Sequence, residues 1–243
     1  MSDQPASENG SGQGGGGQYI AYTYYRVDPA WRRLPVEERA AAKDAFAETL
    51  DEFAPQFDNL RTYSVTGVRP ECDFFTWKIT SRYDVLGELG AALNATPLAG
   101  WLSTPYSYLA TTKASQYTSA RRARKITPQG SRYLVVYPFI KTRPWYALPA
   151  SDRQRAMDEH IRTGAEYPSI HNHTTYSFGI DDQEFMTAVE CDEPADFMHL
   201  MLTLRESEAS RYTEVDTPIF VGQHMDIRAA LDRLDGVNAH VTA

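Results

Sequence analysis

Along the chain, apolar positions fall into short alternating or aromatic-rich runs, broken by turn residues and by stretches with helical spacing. The alternating runs predict strands at Tyr19–Arg26, Asn59–Val65 and Phe74–Thr80, and again at Arg132–Ile140, His173–Gly179 and Phe185–Glu190. After the first strand of each set comes a W-x-x-L-P motif whose proline (Pro35, Pro149) suits the first turn of a helix, with acidic residues close behind. The second of these long helices is predicted from Ala150 to Glu166. Shorter helices follow at Tyr83–Leu93 and Ala195–Leu204, and closing strands near Trp101–Ala110 and Pro218–Val221. Each set therefore reads β-α-β-β-α-β, the ferredoxin-like unit.

The two sets rhyme in sequence as well as in pattern. Trp31-Arg-Arg-Leu34-Pro35-Val-Glu-Glu-Arg39 matches Trp145-Tyr-Ala-Leu148-Pro149-Ala-Ser-Asp-Arg153 at an offset of 114 residues, and Tyr63-Ser64-Val65 matches Tyr176-Ser177-Phe178 at 113. Two matches at nearly one offset indicate a tandem duplication. The expected fold class is α+β, with two ferredoxin-like halves packing their open sheet faces together into a dimeric α+β barrel. The halves are expected at residues 19–120 and 132–230. They are joined by a basic linker (residues 121–131, with Arg121-Arg122-Ala123-Arg124-Lys125) and flanked by a Gly/Ser-rich tail (residues 1–18) and a C-terminal tail (residues 231–243).

Composition narrows the function. There are 24 Lys plus Arg against 32 Asp plus Glu, a net charge of −8, which argues against a non-specific nucleic-acid binder. Cys72 and Cys191 are the only cysteines, too few and too far apart for a disulfide framework or a zinc knuckle, and this fits a reducing cytoplasm. No run approaches the roughly 18 apolar residues of a membrane helix, and the N-terminus lacks the pattern of a signal peptide.

Functional candidates lie where the copies diverge. Met157, His160, Ile161, Gly164 and Ala165 follow the i, i+3, i+4, i+7, i+8 rule, so His160 lies on the apolar face of its helix, with Gly164 leaving space one turn on. The plain alternative is a core histidine bonded to a carbonyl. One repeat earlier, however, its position holds Phe46, so the second copy places an imidazole where the first has a phenyl ring. A neutral imidazole over a cavity is a candidate haem-iron ligand. Metal-bound histidines usually donate their other N–H to a carboxylate, and Glu208, after the helix expected to pack nearby, is the candidate, although a solvated surface glutamate reads equally well. On the strand from Arg132, residues Tyr133, Val135, Tyr137 and Phe139 share one face. Tyr137 would then project inward, where the first copy has Thr23 or Tyr24 depending on the offset.

Three stretches carry a family resemblance: Tyr137-Pro-Phe-Ile-Lys141-Thr-Arg-Pro-Trp145-Tyr-Ala-Leu-Pro149 with the His160 helix, Gly179-Ile-Asp-Asp182-Gln-Glu-Phe185, and Leu204-Arg205…Thr217-Pro-Ile-Phe-Val-Gly222. Over residues 19–222 the chain resembles the chlorite dismutase superfamily and, within it, the coproheme decarboxylases. The resemblance implies a homopentamer that binds iron-coproporphyrin III only in its C-terminal half. With hydrogen peroxide as oxidant, such an enzyme converts two propionates to vinyls, giving haem b, and makes transient contact with a ferrochelatase. Residue by residue, it implies that His160 is the proximal ligand, Tyr137 the residue that becomes a radical, and Lys141 the lysine beside the reactive propionate. Trp145, in the same motif, is a candidate cofactor contact. Arg122, Arg124, Tyr133 and Thr217 are further candidates for holding the carboxylates. Chlorite-degrading members carry an aliphatic residue at the Tyr137 position and an arginine seven residues before the Gly179 equivalent; here that position is Asn172. Asn172, His171 and His173 are the candidates for the distal side. The rival readings are a haem carrier or sensor, and a chlorite-degrading or peroxidase enzyme on the same fold.

Overall fold

The computed structural model describes residues 17–117 and 125–236. The tail expected at residues 1–18 therefore falls mostly outside the described residues, as do Arg122, Arg124 and residues 237–243. Gln18 is described and belongs to the fold: its side chain donates to Asp58 at 2.8 Å and accepts from the N–H of Ile126 at 2.7 Å, so it is buried where a tail residue was expected.

The described residues form strands β1 (Tyr19–Val27), β2 (Asn59–Ser64), β3 (Phe74–Thr80), β4 (Leu102–Thr111), β5 (Tyr133–Lys141), β6 (His171–Tyr176), β7 (Phe185–Cys191), β8 (Thr213–Val215) and β9 (Phe220–Met225). Among them run helices α1 (Val36–Phe53), α2 (Asp84–Asn94), α3 (Arg143–Ala147), α4 (Ala150–Ala165), α5 (Pro194–Arg205) and α6 (Ile227–Asp232). All strand pairs are antiparallel, in the order β7-β6-β4-β1-β3-β2-β9-β5-β8, and β7 pairs a second time with β5. The sheet thus returns on itself, with β8 outside the ring. Within it, β4-β1-β3-β2 and β9-β5-β7-β6 repeat one order, as a duplicated ferredoxin-like unit requires. The halves meet where β2 pairs with β9, at Thr62↔Met225 to Ser64↔Gln223, and where β4 meets β6 at Thr111↔Tyr176. The first seam depends on Gly222, because a Cβ there would lie 2.7 Å from Tyr63 Cβ and collide with the Phe75 ring.

Strand alternation sorts the side chains. Ile20, Tyr22, Tyr24, Phe75, Trp77, Ile79, Leu134, Val136, Met186 and Ala188 point to a shared interior and exclude water there. The opposite face of the first half packs on α1 and α2, and that of the second half on α5. Cys72 and Cys191 are buried free thiols. Among the described residues no helix is long and apolar enough to cross a membrane.

Three boundaries differ from the sequence reading. The strand expected over His173–Gly179 runs His171–Tyr176, because Ile180 and Asp181 both donate to the Ser177 carbonyl and turn the chain, with Gly179 at φ 75°. The closing strand extends to Met225 because it pairs with β2 of the other half, a partner no local pattern reveals. Helix α6 carries Ile227, Leu231 and Leu234 back into the core of the first half, and Arg39 and Lys43 of α1 pair there with Asp235 and Asp232. The boundary expected at residues 230 and 231 runs through this helix.

Candidate active site

The site face of β5 carries Tyr133, Val135, Tyr137 and Phe139, as alternation predicts. It is the helix-facing side of the sheet rather than the shared interior expected for Tyr137, because Leu134 and Val136 take the interior places. The register also settles which residue of the first copy corresponds. Thr23 is the match at the offset of 114, since Tyr24 belongs to the interior.

Tyr137 is buried, with its ring centroid 6.2 Å from that of Phe197 on α5. Burial pushes its phenol up to about 12, and a hydrogen bond with Thr187 offsets only part of that. The hydroxyl therefore keeps its proton at neutral pH. Directly opposite residues share a face, so Tyr137, Thr187 and Thr174 form one row and Val135, Val189 and Asn172 the next. Asn172 and Thr174 are exposed, and the Thr174 hydroxyl donates to Asn172 Oδ1 at 3.1 Å.

The same parity separates the three distal candidates. His171 and His173 alternate with Asn172 and lie opposite Glu190 and Ala188, on the interior side. His173 Nε2 lies 2.8 Å from Glu190 Oε2, and its ring is 5.6 Å from that of Trp77. Asn172 alone of the three shares the face of Tyr137.

His160 lies on α4, which packs chiefly on α5 and on the 3-10 turn Glu208–Tyr212. The imidazole is half-buried and has no hydrogen-bond partner among the described residues. Burial lowers its pKa, the nearby Lys141 ammonium lowers it further, and Glu159 opposes them. The ring is therefore neutral at pH 7, with a lone pair to give. Among the described residues no three His, Cys, Asp or Glu side chains converge as metal ligands.

Lys141 Nζ lies between two rings, 5.2 Å from the Phe139 centroid and 4.6 Å from that of Trp145, and donates to the Ala209 carbonyl at 2.7 Å. Burial lowers its pKa to about 8, against the opposing pull of Glu184. The ammonium expected beside a propionate is thus already held under Trp145, near His160. Glu184, which the sequence marked only as a strand start, organises this corner. Its carboxylate accepts from the Lys141 N–H at 2.9 Å and the Tyr146 hydroxyl at 2.5 Å, with Arg143 at 3.8 Å.

The remaining candidates are placed as follows. Glu208 does not reach His160, because its carboxylate faces Arg155 at 3.4 Å and its N–H donates to Glu159. Trp145 is a core residue like its repeat partner Trp31. Tyr133 lies at the edge of the site-face cluster, with the Arg132 guanidinium 5.2 Å from its ring centroid. Thr217 is exposed between β8 and β9, next to Asp216, which pairs with Arg205; both of these charges act on Tyr137.

Residues 39–225 match the model of the chlorite dismutase family. A coproheme decarboxylase of Mycolicibacterium smegmatis is 26% identical over 220 residues, covering 89% of this chain and 94% of its own. That of Staphylococcus carnosus is 28% identical over 229 residues, covering 85% and 91%. A mutant chlorite dismutase of Candidatus Nitrospira defluvii matches the fold with a TM-score of 0.82 at 19% identity, over 90% of this chain and 95% of its own.

Proposed function

Because the chain belongs to the chlorite dismutase family, we propose that it is a coproheme decarboxylase that uses hydrogen peroxide to turn two propionates of iron-coproporphyrin III into vinyls, yielding haem b. The observation that carries this reading is a protonated, buried Tyr137 on the helix-facing side of β5, together with a neutral, unbonded His160 on α4 whose ring feels the charge of Lys141 at the end of the same strand.

These residues fit an iron porphyrin. The half-buried imidazole has no other hydrogen-bonding task among the described residues, and Ala156 is the one fully buried residue of α4. His160 would hold the iron, and burial, helped by the nearby Lys141 ammonium, keeps its ring unprotonated. Bound coproheme supplies the redox chemistry, with peroxide as the oxidant. The part of Tyr137 is to lose the hydrogen atom of its O–H and then to take one from the β-carbon of a propionate. Loss of carbon dioxide and of one further electron leaves the vinyl group. Each propionate consumes one hydrogen peroxide and one proton and releases one carbon dioxide and two waters. Thr187 orients the phenol, and Asn172 borders the open side of the same face. Asparagine there, rather than the arginine of chlorite-degrading members, favours decarboxylation over chlorite chemistry. The homopentamer, the ferrochelatase contact, the cytoplasmic location and the carboxylate-holding roles of Arg122, Arg124, Tyr133 and Thr217 belong to this proposal on the family resemblance.

The test is to incubate purified protein with coproheme and peroxide and identify the porphyrin by mass. Stepwise loss of two carboxyl groups through a three-propionate intermediate is expected. Coproheme that binds and comes back unchanged would overturn the proposal in favour of a carrier.

A further inference from the structure

The first half has a cavity on the face that corresponds to the Tyr137 face of the second. It has a volume of about 670 Å³ and lies between α2 and strands β1, β3 and β4. Thr23 and Phe46, the repeat partners of Tyr137 and His160, both line it. Leu86, Leu93 and Leu109 provide apolar walls. Gly87 and Gly90 of α2 also line it, and a Cβ at either would meet nothing within 4 Å, so the space depends on bare helix backbone.

One charged group lies at the base of this cavity. Lys78 is 7% exposed and donates to Thr23 Oγ1 at 2.7 Å. No carboxylate pairs with it among the described residues. An ammonium has three N–H donors, and one hydroxyl meets only one of them. A buried cation left in this state is costly unless an anion joins it. Burial alone lowers Lys78 to about 8, which still leaves most of it charged at pH 7. Two carboxylates also line the cavity, the exposed Glu88, which lies 3.6 Å from Arg82, and the exposed Asp84 at the start of α2.

We propose that this cavity binds a single-chain carboxylate, with its head group on Lys78 and Thr23 and its hydrocarbon chain against Leu86, Leu93 and Leu109. The volume lies within the roughly 300–1,000 Å³ range of small-ligand pockets, and a few polar groups at the base of an apolar space are what an amphiphile requires. The proposal is independent of the chemistry assigned to the second half.

Titration of the full-length protein with decanoate, followed by calorimetry, tests it. One saturable site per chain is expected, weakened by roughly tenfold or more when the charge is removed in Lys78→Met, because a charge-assisted contact is lost. Gly90→Leu is expected to abolish the site by filling it, while raising helix propensity, so this variant decides the matter if Lys78→Met does not fold. Decanol, which has the chain without the charge, is expected to bind at least roughly tenfold more weakly than decanoate. Absence of saturable binding would overturn the proposal. So would decanoate binding that both variants leave intact and that bound coproheme displaces, since that would place the ligand in the other half.

Discussion

The long helices α1 and α4 occupy the same place in two copies of one unit, yet they do different work. Helix α1 buries Arg39, Ala42, Lys43, Phe46, Ala47 and Leu50, and Phe46 packs edge-on against Phe74 and Tyr25. Helix α4 fully buries only Ala156 and leaves Ile161 exposed. The first half also recruits α6 from the far end of the chain to seal α1. Among the described residues no such helix is recruited to α4, and His160 makes no hydrogen bond. Duplication thus allows one copy to supply packing while the other gives up packing for a site, and the division can be tested one residue at a time.

Exchanging the fates of the repeat partners Phe46 and His160 should produce the largest contrast. His160→Ala is expected to abolish tight coproheme binding, read as loss of the Soret shift on titration, while leaving the unfolding free energy within about 1 kcal/mol of wild type. Phe46→Ala is expected to do the reverse. It should cost ~3–5 kcal/mol in denaturant unfolding, as deletion of a buried phenyl ring does, with binding retained wherever the protein is folded. Equal destabilisation by the two changes would show that α4 is packed as α1 is, and the contrast drawn here would fail.

Tyr137 sharpens the same comparison, because its repeat partner Thr23 has no phenol to oxidise. Tyr137→Phe keeps the ring against Phe197 and removes the hydroxyl bonded to Thr187. Its stability cost should be about 1 kcal/mol, the worth of one hydrogen bond. Turnover to haem b should fall by roughly a hundredfold, about 2.7 kcal/mol of barrier, with coproheme binding intact. A carrier would be indifferent to the change. Near wild-type conversion by the Phe variant would remove the radical role.

Much of this was legible in the sequence, because the pattern there is strong and local. The repeated W-x-x-L-P motif put Trp31 and Trp145 at equivalent positions of the two copies, where both prove to be buried, and alternation put Tyr133, Val135, Tyr137 and Phe139 on one face. What escaped depends on contacts between distant segments. Alternation cannot say which of two buried faces a residue takes, so Tyr137 was assigned to the shared interior that Leu134 and Val136 occupy. Glu208 looked like a partner for His160, yet Arg155, one helical turn before Glu159, was closer to it. Neither the seating of Lys141 under Trp145 against the Ala209 carbonyl nor the capture of its N–H by Glu184 has a signal in spacing.

The seam between the halves gives a smaller effect with a defined pH window. Glu190 is fully buried, and burial alone would raise its pKa. The His173 contact and the N–H groups of Gln129 and Gly130 outweigh that and hold it at about 2, with Arg61 of the first half also in reach at 3.5 Å. A carboxyl with a depressed folded-state pKa contributes stability above its unfolded value, near 4.5, and loses it as the pH falls toward 2. The unfolding free energy of the wild type should therefore drop across that window by on the order of 2 kcal/mol more than that of Glu190→Gln. Parallel pH profiles would mean that this group does not hold the seam.

The smallest expected effect separates Asn172 from His173, adjacent residues that strand parity sends to opposite faces. Asn172 shares the face of Tyr137 and has only Thr174 as a side-chain partner, so Asn172→Ala should change stability by less than about 0.5 kcal/mol, as exposed substitutions do. If it borders the reacting propionate or the peroxide, it contributes at most one hydrogen bond in a partly wet site, and turnover should fall by roughly tenfold or less. His173→Ala should act in the opposite sense. It removes a partner from Glu190 in the interior, costing ~1–3 kcal/mol for the group left under-bonded, and should leave turnover per folded molecule unchanged. Measuring kcat and unfolding free energy on the same samples distinguishes the two, because parity predicts that each substitution moves a different quantity. A His173→Ala variant that is fully stable but inactive would mean that the histidine reaches the substrate, and the distal side of the site would then have to be redrawn around β6 with its faces reversed.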